Sequence, residues 1–320
     1  MRIRQKRRLL RFVFPVARDE WLSILRIGLG LQIIFYCLSL WADWNVIFVG
    51  NAGGLISRDV TETVYTLDCS LLPRLSWFVD LAERFRIRED VILSGVLLGF
   101  ITAGGCLTVG FFCRTAAILG WFFHLCAVTS GGLMSYGVDN FMTIGLFYLM
   151  LSPLPDHIAI DAWLWSKPEP NRRRLGCFQR VLQLHLCFIY FFGGLDKCLG
   201  IGWWNGTSIW RALTRPPFNI IPAHFLARWD FLFPAMGIAV CLLETGYPIF
   251  IWPKRTRLVW FTGVLGMHLG IAVAMGMYLF AWIMIVLNLA AFGPDIFLRQ
   301  RRDIRSVNGR ADAETRLAAG

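Results

Sequence analysis

Apolar residues in this chain fall in long unbroken runs rather than at the short period of a soluble helix or strand. Eight such runs are marked, at residues 22–41, 91–112, 115–132, 141–157, 181–200, 232–252, 258–275 and 277–297. Each is close to the ~20 residues that a helix needs to cross hydrocarbon. Backbone N–H and C=O groups find no water there, so a spanning segment closes its own hydrogen bonds as a helix. The pattern predicts an all-α, polytopic membrane bundle of about eight transmembrane helices. Residues 1–20 form a basic N-terminal segment, 21–298 the transmembrane domain, and 299–320 a polar tail expected to be disordered. The first run begins near Trp21 behind Arg2–Arg8. It is too long for a signal-peptide core and no small-x-small cleavage site follows it, so it is read as a retained helix.

Composition agrees. Of 320 residues, 56% are hydrophobic and only 17% charged, against about 25% charged in soluble domains, and no soluble domain remains once the runs are set aside. The net charge of +11 would suit nucleic acid only if it formed a stripe on a soluble surface. Here the basic residues crowd the ends of apolar runs, facing anionic lipid, and nucleic-acid binding is excluded.

The same charges predict orientation. With the N-terminus inside, the cytoplasmic segments hold Arg2–Arg18, Arg114, Lys167, Arg172–Arg174, Arg180, Lys254, Arg255, Arg257 and the arginines from Arg299 onward, which is most of the 32 Lys and Arg. Both termini are therefore expected inside, in a multi-pass protein of a bacterial inner membrane.

Two long outer segments follow, residues 43–90 and 201–230. The first contains Gly50-Asn-Ala-Gly-Gly54 and an amphipathic stretch, 71–88, whose Leu72, Leu75, Trp77, Phe78, Leu81 and Phe85 are expected against the membrane surface. The second, with Trp203, Trp204, Pro216, Pro217 and Pro222, suits a lid or re-entrant loop. Nine cysteines show no metal-ligand spacing. Cys69 and Cys198 both fall on the outer side, and a disulfide between them is left open. The pairs Gly95/Gly99 and Gly266/Gly270 predict close helix packing, with His268 beside the second.

Polar side chains inside hydrocarbon are costly, about 2.5–3.5 kcal/mol on insertion scales, and face the bundle interior. The candidates are Arg26, Gln32, His124, Asp139, Asn140, Gln183, His185, Asp196, Lys197, Glu244, His268 and Asn288. His124 and His185 read as interhelical hydrogen-bonding groups, Gln32, Gln183 and Asn288 as packing contacts, and Asp139 with Asn140 as a helix cap. Lys197 has two readings, a snorkelling interfacial lysine or a buried base. Glu244 and His268 lie about ten residues from their helix ends, cannot reach water, and need partners; each other or Lys197 are the candidates.

Three stretches then carry a resemblance. They are Tyr136-Gly-Val-Asp-Asn-Phe141 leading to Tyr148-Leu-Met-Leu-Ser-Pro153; Tyr190-Phe-Phe-Gly-Gly-Leu-Asp-Lys197 followed by Trp203-Trp-Asn-Gly206; and Gly266-Met-His268. Together they resemble the HTTM family, the membrane domain shared with vitamin K-dependent gamma-glutamyl carboxylase, over roughly residues 20–295. The resemblance implies a site for a reduced, vitamin K-like quinone as substrate, oxidised or epoxidised with oxygen. Lys197 would be the base on the quinol hydroxyl and His268 the second catalytic group. Asp139, Asn140, Asp196, Trp203, Trp204 and Glu244 would be binding residues. Asp139-Asn140 stands where the carboxylase has an Asn-His pair. The chain stops soon after its eighth run, so carboxylation of protein glutamates is not expected. The alternative is a non-catalytic membrane component that binds a quinone or a partner protein. A transporter is disfavoured, because the halves show no repeat.

Overall fold

A computed structural model describes residues 10, 12–50, 57–67, 69–131, 135–165 and 171–297. The basic stretch before residue 10, most of Gly50–Gly54, Lys167 and the polar tail lie outside the described residues. Within them the chain is helical, without strands. The helices are α1 (Glu20–Leu40), α2 (Trp44–Phe48), α3 (Arg58–Thr66), α4 (Ser76–Arg84), α5 (Glu89–Val109), α6 (Cys113–Ser130), α7 (Gly137–Leu151) and α8 (Ile160–Leu164). Then follow α9 (Arg172–Leu199), α10 (Ile201–Trp204), α11 (Thr207–Thr214), α12 (Ala223–Leu226), α13 (Phe233–Phe250), α14 (Lys254–Met275) and α15 (Tyr278–Phe297).

Each of the eight apolar runs forms a helix, and six of these helices are long and apolar enough to cross a membrane: α1, α5, α9, α13 with its preceding turn, α14 and α15. The chain is thus a multi-pass integral membrane protein. Helices α6 and α7 are shorter, at 18 and 15 residues. The fourth run was expected to continue to His157, but α7 ends at Leu151. Ser152 turns extended, as residues before proline do, and Pro153 and Pro155 carry the chain away. Conversely, α9 starts nine residues before its expected span, where the Asn171 side chain accepts from the N–H groups of Arg173 and Arg174.

The helices pack as two groups around α15, the most buried of the candidate spans. On one side, α1 packs on α5 and α7, and α6 bridges α5 and α7; on the other, α9 packs along α13, and α13 on α14. Helix α15 touches both groups. Trp282 donates to the Gly28 carbonyl on α1 (3.0 Å), while Gln179 and Gln183 of α9 donate to the Ala291 carbonyl (3.0 and 2.7 Å). One core of Leu, Ile, Phe and Trp side chains runs through both groups.

The expected glycine contacts are not the ones that form. Gly95, Gly266 and Gly270 meet open space, and Gly99 meets only the Phe123 ring. The backbones approach instead at Gly30 and Gly104, where a Cβ on either would lie 2.8–3.0 Å from the other's carbonyl oxygen. Sequence spacing marks small residues but does not say which face of a helix meets a neighbour.

Basic segments gather at one end. The Arg180 guanidinium stacks between Phe12, before α1, and Trp252, between α13 and α14 (4.5 and 4.7 Å to the ring centroids). Nearby, Arg257 at the start of α14 approaches Asp295 in the last turn of α15 (3.9 Å). Deeper, Arg26 and Asp156 form a buried ion pair (2.5 Å), to which Ser23 also donates (2.6 Å). Asp161 caps α6 by accepting from the N–H groups of Phe112 and Cys113 (2.8 and 2.7 Å).

The other end carries the long connections. The stretch at 71–88 does not lie wholly on a membrane surface. Leu75, Val79 and Ala82 are buried on the bundle and the Leu75 N–H reaches Ser130 Oγ (2.9 Å), whereas Trp77, Leu81 and Phe85 remain exposed. Its anchor is Glu62, buried, which accepts from Ser130 Oγ (2.5 Å) and the Ser76 N–H (3.2 Å). Replacing Glu62 with alanine is expected to unpin this connection. Proteolysis of membrane-embedded protein from that face should cut between residues 67 and 88 at least ten-fold faster, and unchanged cleavage would refute the anchor.

Candidate functional site

The sequence spaces Tyr190, Gly194 and Lys197 so that they share one face of α9, while Glu244 and Tyr247 share one face of α13. The two faces meet. A Cβ added to Gly194 would lie 2.6 Å from the Thr245 nitrogen and 2.8 Å from Glu244 Cβ, so only glycine lets the backbones come this close. Lys197 lies three residues further on. Its side chain turns back toward the helix N-terminus, as helical side chains do, and Nζ donates to the Gly193 carbonyl (3.3 Å) and to Glu244 Oε2 (2.7 Å). The amine therefore points into the bundle. Its side chain is 24% exposed and that of Glu244 is 9% exposed.

Two further features shape this pair. The Trp203 ring lies 5.5 Å from Lys197 Nζ and covers it on the side of the connecting loop. Trp203 is held there because a Cβ on Gly237 would overlap the Trp203 carbonyl oxygen, so glycine is required for α10 to sit on α13. Pro248, within α13, has no N–H to give the Glu244 carbonyl, which loosens the helix one turn beyond the carboxylate. Gly237→Ala is expected to cost about 2 kcal/mol by overpacking, read as a lower thermal midpoint in detergent; an unchanged midpoint would refute the contact.

One turn deeper lies a second polar chain. Asn288 on α15 donates through Nδ2 to the Met284 carbonyl (2.8 Å) and to Tyr190 Oη (2.7 Å), while its Oδ1 accepts from Tyr247 Oη (2.7 Å). A backbone carbonyl can only accept, which fixes the amide's orientation. Tyr190 Oη thus accepts from Asn288 and gives its own proton to His268 Nε2, 2.8 Å away. The neutral imidazole then carries its hydrogen on Nδ1. That nitrogen is buried and has no partner among the described residues. A buried donor left unpaired costs about 1–3 kcal/mol, so His268 presents an N–H suited to an acceptor oxygen. The rings of Tyr190 and Tyr247 are 4.3 Å apart and close the space between the helices.

The remaining expected site residues are placed as follows. Asp196 is exposed and takes no part in the pair beside it. Trp204 is 43% exposed and donates to the Cys198 carbonyl (2.7 Å), so Trp203 rather than Trp204 attends the lysine. Asp139 is buried in a separate cluster, its carboxylate accepting from the Tyr136 N–H (2.9 Å) in a capping box, and its carbonyl accepting from His124 Nε2 (3.1 Å). Asn140 is exposed. Phe280 lies between this cluster and the other, its ring 5.9 Å from Phe141 and 5.8 Å from His268. His185 meets Tyr148 Oη through Nδ1 (2.7 Å), so both lone histidines are interhelical hydrogen-bonding groups.

Sequence reasoning passed over Tyr190 and Tyr247, and took Asn288 for a packing residue. The signal for the tyrosines was their placement on the same helix faces as Lys197 and Glu244. No group of three or more His, Cys, Asp or Glu able to hold a metal occurs among the described residues. Comparison with protein-family models, with curated proteins and with solved structures returns no match for the chain.

Proposed function

We propose that this chain is an HTTM-like, vitamin K-dependent carboxylase-like protein of eight spans, with both termini on the cytoplasmic side of a bacterial inner membrane, that binds a lipophilic quinol between α9, α13, α14 and α15. The observation that carries the reading is the inward-pointing Lys197–Glu244 pair lying one turn from a relay that ends in an unpaired N–H on His268. The gathering of basic segments at one end supports the orientation, because those charges belong on the cytoplasmic side.

In this reading the chemistry divides among three groups. Lys197 and Glu244 are joined by a 2.7 Å hydrogen bond, so the pair acts as a unit. Glu244 accepts the quinol hydroxyl proton, and the Lys197 ammonium then faces the quinolate, a charge strengthened by the low dielectric around it. His268 Nδ1 donates to the other oxygen of the ring. The deprotonated quinol reacts with dioxygen to give an epoxide and water, or loses two electrons to give quinone and hydrogen peroxide.

The test is purified protein with reduced naphthoquinone and oxygen. Quinone or epoxide should form, and Lys197→Ala should lower the rate at least 100-fold with the fold intact. Equal turnover in the variant ends the mechanism. The ion pairing of Lys197 also favours a second reading, binding without turnover, in which a quinone co-purifies stoichiometrically and no product forms.

A further inference from the structure

Helix α13 runs antiparallel to α9 and meets α9 and the following α10 at two points where only glycine fits. At one, Gly194 faces Thr245. Four residues forward along α9 from Gly194 is Cys198, and four residues back along α13 from Thr245 is Cys241. A further four residues back is Gly237, the second point, which meets the Trp203 carbonyl. Cys198 and Cys241 therefore lie opposite each other, bracketed by backbone contacts on either side. Both are free, Cys241 fully buried and Cys198 partly exposed.

We propose that Cys198 and Cys241 are a redox-sensitive pair that closes to a disulfide and clips α9 to α13. Bridged cysteines need Cβ atoms about 3.5–4.5 Å apart, and one turn from the pair the helices are close enough that a Cβ on Gly194 would lie 2.8 Å from Glu244 Cβ. Cys198 is the entry point. Its thiolate, having lost a proton to water, attacks an external disulfide, forming a mixed disulfide and releasing one thiolate. The Cys241 thiol then gives up its proton and displaces the second, so the external disulfide is reduced to two thiols and the protein loses two electrons and two protons. The clip is adjacent in sequence to Lys197 and one helical turn from Glu244, so it fixes the separation of the helices that carry the ion pair. The disulfide considered between Cys69 and Cys198 competes with it for the same sulfur.

The test uses full-length protein in membranes, treated with a membrane-permeant aromatic disulfide, unfolded in detergent and labelled on every free thiol with a mass-tagged maleimide. The reduced chain has nine thiols to label. Oxidation should leave seven in the wild type, and Cys69→Ser should likewise lose two tags. Cys198→Ser and Cys241→Ser, checked for normal elution by size, should lose none. Nine tags after oxidation, loss of two tags in Cys241→Ser, or no loss in Cys69→Ser would each overturn the assignment. The outcome is read without substrate and stands apart from the quinol assay.

Discussion

Arg26→Met is expected to lower the unfolding free energy by about 4 kcal/mol, the largest effect of any single substitution considered. Arg26 and Asp156 have side chains 1% and 0% exposed, and the guanidinium meets both carboxylate oxygens (2.5 and 3.3 Å). Arg26 also donates to the carbonyls of Leu107 and Thr108 near the end of α5. Methionine fills similar space but takes away every donor, leaving Asp156 with Ser23 and the Ile158 N–H as its remaining partners. The cost arises mainly from the carboxylate left without its counter-charge in a dry interior. Arg26→Met with Asp156→Leu should therefore recover much of the loss, since a hydrophobic pair needs no solvation. Equilibrium unfolding in mixed micelles reads both variants. A single-variant loss below 1 kcal/mol, or a double variant no better than the single, would refute this account.

The second large effect is at the candidate site. Glu244→Leu should cost about 3 kcal/mol, less than Arg26→Met because the Lys197 side chain keeps about a quarter of its surface open and regains some hydration. Lys197→Met leaves Glu244, the more buried partner, unpaired and should cost at least as much. The double variant should approach the wild type, giving a coupling energy of about 2 kcal/mol in a double-mutant cycle. Additive single effects would mean that the two groups do not interact. Glu244→Gln, which keeps the hydrogen bond without the charge, separates charge pairing from packing. It should retain most stability while losing proton acceptance, so its quinol turnover should fall as far as that of Lys197→Ala.

Much of this site was legible beforehand. Lys197, Glu244 and His268 stood out because a titratable group in an apolar run demands a partner, and the pairing of Lys197 with Glu244 was among the candidates. The partner of His268 was not foreseen. A tyrosine in an apolar helix is amphipathic and raises no alarm, so the one cue to Tyr190 and Tyr247 was that they share helix faces with Lys197 and Glu244, which carries meaning only once those faces meet. Asp156 shows the opposite failure. Counted inside the fourth apolar run, it passed as part of a span, whereas the prolines beside it turn the chain and deliver its carboxylate to Arg26.

The sequence by itself determined the helices and the end at which positive charge collects. These are consequences of run length and of the cost of placing unpaired backbone and charge in hydrocarbon, both of which act locally along the chain. Only the tertiary structure decided which faces meet. Contact between helices depends on where two backbones approach without obstruction, and that occurs at Gly30, Gly104, Gly194 and Gly237, not at the evenly spaced Gly266 and Gly270. The pairing of Lys197 with Glu244 and of Tyr190 with His268 follows from how the helices approach, which no single helix encodes.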